Sequence, residues 1–292
     1  MISFNTISDI IKITREESVT FSDVIITYET HSQQKPRTEI IADMYGNWDV
    51  MKTAIVNGLQ TSEKSFSGLT GGDAVRLNAH AGKSLLGYAA GTAEAAAVAV
   101  AERNAAMGRI VACPTAGSCG ILPAVLYALQ LWQDNISDEQ IVLSMFTAAG
   151  IGMVIDQNAC IAGAEGGCQA ECGTAAAMSA GAAVDLMGGT PDMIANAAAL
   201  ALKNLLGLVC DPVAGLVEVP CVKRNGFDAV HALVAADMAL AGVHSVIPVD
   251  EVIDAMSRIG NALPPSLRET AMDGLATTST GQAAAKRILT MA

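Results

Sequence analysis

Long runs of small apolar residues, broken by loops that set cysteine beside glycine or proline, constrain this chain more than any other feature. Residues 84–103 and 169–187 are dominated by alanine, with glycine, valine and methionine between. No period-two alternation of useful length occurs, which removes the usual signature of a half-buried strand. Small side chains let helices approach closely, so the pattern predicts helices buried on most sides. With 51% of residues hydrophobic but only 4% aromatic, the core must be filled by aliphatic side chains rather than rings. The expected fold is all-α, a single large multi-helix domain over residues 1–292 with a buried Ala/Gly/Met-rich core of about a dozen helices.

Near the start, Ile7, Ile10, Ile11 and Ile13 sit close to helical spacing, and residues 24–28 continue the pattern. Ile40, Ile41, Met44, Trp48, Met51, Ala54, Ile55 and Leu59 trace one face of a long helix. Residues 1–60 thus read as an N-terminal helical scaffold within the domain. Further helices are predicted at 121–132, 139–154, 191–206, 227–241, 250–259 and 282–289, with an extended connector at 109–112.

So apolar a chain must be tested for membrane spans. A spanning helix needs about 20 mostly apolar residues; the run 141–155 is too short and is flanked by Glu139, Gln140 and Asp156, while Glu94 interrupts the run 85–101. The first residues have neither the basic start nor the apolar centre of a signal peptide, so the reading is a cytoplasmic protein with no membrane partner. A net charge of −12 and no basic run give nucleic acid no electrostatic footing. Seven cysteines, an odd number, suit reduced thiols better than a disulfide framework. Their roles are buried small hydrophobes or metal ligands.

Two loops and one cysteine pair hold the candidate chemistry. Thr70-Gly71-Gly72-Asp73 and Pro114-Thr115-Ala116-Gly117-Ser118 each deliver the chain to a helix start, where free N–H groups and the positive dipole end attract a carboxylate. Thr70, Gly71, Gly72, Thr115, Gly117 and Ser118 are therefore candidate substrate-binding residues; ordinary N-capping by Thr or Ser is the plainer reading. Cys168 and Cys172 would share a helix face, and burial as small hydrophobes is the alternative to metal binding. Gly82-Lys83-Ser84 is no phosphate loop, because position 77 is leucine. The four histidines, His31, His80, His231 and His244, are too dispersed to suggest a triad.

The ordered motifs Gly163-Ala164-Glu165-Gly166-Gly167-Cys168-Gln169-Ala170-Glu171, Cys210-Asp211-Pro212-Val213-Ala214-Gly215 and Val219-Pro220-Cys221-Val222-Lys223-Arg224-Asn225 closely resemble the iron-sulfur L-serine dehydratases. Asn104-Ala105-Ala106-Met107-Gly108-Arg109 and both glycine-rich loops match as well. The resemblance spans nearly the whole chain and is to the separate α subunit of the two-chain form. It implies a [4Fe-4S] cluster held by Cys168, Cys210 and Cys221, converging near the Thr70 and Thr115 loops, with Cys113, Cys119, Cys160 and Cys172 structural. Three ligands on four irons leave one iron open as a Lewis acid. The implied reaction removes the α-proton and the hydroxyl of L-serine; the aminoacrylate formed then tautomerises and hydrolyses to pyruvate and ammonia, as in amino-acid degradation or gluconeogenesis. Pyridoxal phosphate is the other route, but no lysine sits in a recognisable phosphate cradle.

Glu165, Glu171 and His80 are the candidate proton carriers, and no base stands out among them. The Gly-Pro-Ser-Ser-Ser-His segment of the family's single-chain members does not occur here, so a β subunit is the implied partner. Some of those members carry a cysteine near the C-terminus, whereas this chain ends Leu289-Thr290-Met291-Ala292. Two rival functions remain, an L-cysteine desulfidase of the same superfamily and a non-catalytic iron-sulfur or helical interaction protein.

Overall fold

The computed structural model describes residues 2–290; Met1, Met291 and Ala292 lie outside the described residues. Among those described are thirteen α-helices and no strand. In order they are α1 (Ile7–Glu17), α2 (Phe21–Gln33), α3 (Arg37–Gly58), α4 (Asp73–His80), α5 (Gly87–Ala105), α6 (Ile121–Trp132), α7 (Asp138–Asn158), the single turn α8 (Gly163–Gly166), α9 (Thr174–Leu186), α10 (Pro191–Leu205), α11 (Cys221–Leu240), α12 (Val249–Ala262) and α13 (Ser279–Leu289). The all-α expectation holds.

Local chemistry fixes where several helices start. Thr6 with Asp9, Thr20 with Asp23 and Ser137 with Gln140 form reciprocal capping boxes at α1, α2 and α7, each satisfying N–H groups that the first turn leaves free. Thr190 caps α10, and Pro191 follows where its missing N–H costs nothing.

Helix α9 lies at the centre, packed by α6, α7, α10 and α11, and is buried from Thr174 to Val184. Its alanines contribute only about 0.8 kcal/mol per buried methyl, so their main effect is to bring neighbouring helices near. The same logic joins α3 to α5: a Cβ on Gly58 would sit 2.5 Å from the Ala99 carbonyl oxygen, so only glycine permits that approach. Large aliphatic side chains from α1, α2, α6 and α7 complete the core around the fully buried Trp48, whose indole N–H donates to Asp138 at 2.9 Å. Trp132, at the end of α6, is 54% exposed.

Several helices depart from the sequence expectation in their bounds, three of them informatively. Helix α7 extends beyond the apolar run because Asp138, Glu139, Asp156, Gln157 and Asn158 are helical too. At 21 residues it is long and apolar enough to cross a membrane, but 67% of its most apolar window is buried inside the fold, as in a core helix. Helix α11 starts at Cys221, well before residue 227, because its polar first turns find partners: Lys223 pairs with Asp73 and Arg224 with Asp211. Residues 169–173 form a π-helical turn that leads into α9.

Candidate metal centre

The π turn follows a sharp bend at Gly167, where φ is +76° and a Cβ would lie 2.6 Å from Leu263 Cδ1 and 2.9 Å from the Leu208 carbonyl oxygen. Glycine alone suits both the conformation and the contact. The bend aims Cys168 inward, 1% exposed, with its Sγ 3.3 Å from that of Cys172. Sγ of Cys168, Sγ of Cys172 and a Glu171 oxygen lie within 4.8 Å of one another, close enough to share a metal ion.

Cys210 reaches the same place from an extended segment. Its N–H donates to the Leu267 carbonyl at 2.9 Å and its carbonyl accepts from the Glu269 N–H at 2.7 Å, forming an isolated parallel bridge with Arg268. Cys210 is 3% exposed, and its thiol lowers the pKa of the Cys168 thiol. Cys221 opens α11 and is 6% exposed. One turn on, Arg224 reaches back to the Val209 carbonyl at 2.9 Å and to Asp211 at 3.1 Å, and its charge acts on Cys168.

The electrostatics single out one thiol. Hydrogen bonds from Cys172 and Cys210, together with the Arg224 guanidinium, pull Cys168 well below the ordinary thiol range despite its burial. The Cys168 charge and burial push Cys172 and Cys210 up. Burial lifts Cys221 to about 12, with the charges of Cys168 and Glu171 adding to it. Cys113, Cys119 and Cys160 are raised chiefly by burial. A low thiol beside a guanidinium is the environment that makes cysteine a metal ligand or nucleophile.

Glu171 faces this group. Burial first, then the negative Cys168 and Glu269, raise its carboxyl to about 7, against hydrogen bonds from the Thr115 hydroxyl and the Gly117 N–H. A Cβ on Gly117 would sit 2.5 Å from Glu171 Oε1, so the glycine lets the loop wrap the carboxylate. Ser118 is fully buried, 3.2 Å from the Thr115 hydroxyl. Buried Asn225 ties this loop to α11, accepting from the Gly120 N–H at 2.8 Å and donating to the carbonyls of Gly117 at 2.7 Å and Cys221 at 2.9 Å.

The Thr70 loop is engaged differently. The N–H groups of Gly71, Gly72, Asp73 and Ala74 all donate to the buried Glu102 carboxylate, at 2.9–3.2 Å. The anion position at the start of α4 is thus filled from within the chain. Hydroxyls of Ser65, Ser67 and Thr70 donate to Glu218 at 2.6, 2.7 and 3.2 Å, hooking the loop to the segment between Cys210 and Cys221. Glu165 is exposed on α8, and His80 is exposed at the end of α4.

Motif reading gave Arg224, Glu102, Glu218, Asn225, Asp228 and Glu269 no role. Asp228 is buried beside Cys172, raised to about 7 by burial, and its Oδ2 has no partner. One signal for Glu102 was available, since a carboxylate inside an alanine run must find donors once buried. A surface groove of about 750 Å³ lies elsewhere, between α5, α6, α9 and α11. The cysteine group is enclosed.

Fold and site together define a class: a helical protein with a thiol-and-carboxylate centre of metal-binding type sunk at the head of its central helix. More particularly, the chain belongs to the serine dehydratase alpha chain family, which matches residues 16–276. It is 51% identical over 287 residues to the probable L-serine dehydratase alpha chain of Bacillus subtilis, covering 98% of this chain and 95% of that one. It is 42% identical over 280 residues to the L-serine dehydratase alpha chain of Peptoniphilus asaccharolyticus, covering 95% and 96%. The L-serine dehydratase of Streptomyces coelicolor is 37% identical over 281 residues, 94% of this chain but 60% of that longer protein.

Proposed function

We propose that this chain is the cluster-bearing subunit of a cytoplasmic iron-sulfur lyase that deaminates L-serine to pyruvate and ammonia. The observation that carries this reading is the buried group of Cys168, Cys172 and Glu171, whose ligand atoms lie within 4.8 Å of one another, in a chain similar over nearly its full length to proteins named L-serine dehydratase alpha chain. The donor set fits a [4Fe-4S] cluster: Cys168, Cys210 and Cys221 would hold it, and Gly117 and Gly163 keep the pocket free of a Cβ beside Glu171 and Cys210. Such a cluster, when bound, supplies one iron with an open position for a substrate oxygen.

The chain's own residues would do the rest. Arg224 offsets the negative charge of the thiolates. Thr115 and Gly117 hold the Glu171 carboxylate in place, and of the three candidate proton carriers Glu171 alone faces the thiols, Glu165 and His80 being exposed. Cys172 supports Cys168 from behind. A β chain would close the site and exclude water, which the elimination requires; the alpha-chain names of the relatives support that partner.

The test is anaerobic reconstitution of this chain with and without a β chain, reading iron, sulfide and pyruvate. Iron loading of this chain alone, weak turnover of serine, and restored turnover on adding the β chain at constant iron are expected. Full turnover without a partner would refute the two-chain reading. Turnover of L-cysteine in place of serine would make the protein a desulfidase, and iron without either activity would leave a binding protein.

A further inference from the structure

Helix α11 is apolar on both of its faces. Its inner face is built of alanines, Ala229, Ala232, Ala235, Ala236 and Ala239, all buried where α11 packs on α5, α9 and α10. Its outer stripe keeps a seven-residue spacing from Phe227 to Val234, with Val230 and Met238 beside them. Phe227 is 76% exposed, and Val234 and Met238 are nearly half exposed. A helix at a protein surface ordinarily turns a polar face outward, and one that is apolar all round is a helix that other structure covers.

Hollows flank this ridge along its length. Near its start, one of about 370 Å³ lies between α4, α5 and Phe227. Further along, the groove of about 750 Å³ opens between Tyr88 of α5 and Val234 and Met238 of α11. On the opposite side the same two residues wall a hollow of about 390 Å³ shared with α10. Tyr88 is also exposed. In a chain with only 4% aromatic residues, two open rings on one face have the composition of an interface centre rather than of open surface.

Knob and hole lie on the same face of the same chain. Phe227, the knob, and Val234, at the hole, are about 10 Å apart along the helix axis, so a two-fold axis crossing the ridge near Val230 exchanges them. We infer that α11 is the contact between two copies of this chain, crossing antiparallel about that axis, with Phe227 of each copy seated in the groove beside Val234 of the other. Such a contact is isologous and closes at two copies. It also sets exposed Lys223 of one copy near exposed Asp237 of the other, so the charges at the two ends of the stripe attract. Helices α5, α11 and α10, spaced about 9 Å apart over the roughly 30 Å length of α11, give a flat footprint of about 550 Å² per copy. The grooves add to that area, which brings it to the 600–800 Å² or so per partner of a stable interface. Val234 lies about 20 Å along α11 from Cys221, so a chain closing the cysteine end and a second copy on this face do not compete. The inference is independent of the reaction proposed above.

The experiment uses the full chain, alone and with a β chain. Mass is measured by sedimentation equilibrium for wild type, Phe227→Asp and Phe227→Leu, beside Tm and iron loading. Wild type alone should have twice the mass of one chain at micromolar concentration. Phe227→Asp should weaken association at least about tenfold with Tm and iron loading unchanged, and Phe227→Leu should weaken it less. Val230→Cys, at the two-fold axis, should form under mild oxidation a disulfide between copies that wild type does not form; this decides the matter if Phe227→Asp fails to fold. A wild type monomeric at every concentration, a dimer indifferent to Phe227→Asp, or no bond between copies in Val230→Cys would each overturn the inference. Loss of β-chain binding in Phe227→Asp, with wild type alone monomeric, would overturn it too and give this face to the β chain.

Discussion

Cys168 is the one cysteine of seven whose thiol is drawn down rather than up, and three neighbours are responsible: Cys172, Cys210 and Arg224. Its i, i+4 relation to Cys172 was readable from spacing, and the sulfurs indeed lie 3.3 Å apart. What spacing could not decide is which neighbours would be ligands, since Cys172 is nearer in sequence than Cys210 and as deeply buried. On the proposed assignment, anaerobically reconstituted Cys168→Ala, Cys210→Ala and Cys221→Ala each lose most of the cluster iron, whereas Cys160→Ala and Cys172→Ala retain it. Iron per chain and the visible absorption of the cluster check this; equal losses in all five would mean general destabilisation. Arg224 and Glu269 were hidden for another reason. Each becomes meaningful only through contacts with residues distant in the chain.

At the scale of elements, most helices were legible from an apolar period along one face, as at α1 and α3. Boundaries failed where polar residues continue a helix, as at the end of α7 and the start of α11. The Thr70 loop shows a deeper limit. Its glycines and the following helix were readable as an anion site, yet the anion is Glu102, supplied by α5. Glu102→Ala would leave up to four buried donors without their acceptor, and a buried unsatisfied group costs about 1–3 kcal/mol. A clear drop in Tm is expected, with faster hydrogen exchange at Gly71–Ala74; Glu102→Gln, which keeps one good acceptor, should lose less. Equal stability of Glu102→Ala and wild type would show that the loop needs no internal carboxylate.

For the molecule as a whole, helical class followed from periodicity alone, whereas the bridge from Leu267 and Glu269 to Cys210 joins segments that no local pattern connects. Asp138 plays a comparable joining part in the scaffold. Starting α7, it accepts from Gln130 of α6 at 2.9 Å and from Lys52 and Trp48 of α3 at 2.7 and 2.9 Å. The Gln130 bond and then the Lys52 bond and charge lower its carboxyl from 3.8 to about 2. A carboxyl lowered on folding stabilises the native state above its unfolded value, and that contribution is lost as pH falls from about 4 through about 2. Wild type should therefore lose more Tm between pH 5 and pH 2 than Asp138→Asn does. Parallel curves for the two would show that this carboxylate adds nothing to acid sensitivity.

The two tryptophans give the molecule its own optics. Trp48 is wholly enclosed and hydrogen-bonded to Asp138, whereas Trp132 already meets water. The short-wavelength part of the fluorescence then belongs to the scaffold between α3 and α7, and unfolding shifts that part to the red while Trp132 hardly changes colour. A single emission spectrum thus separates loss of the interior from changes at the rim, without any label being attached.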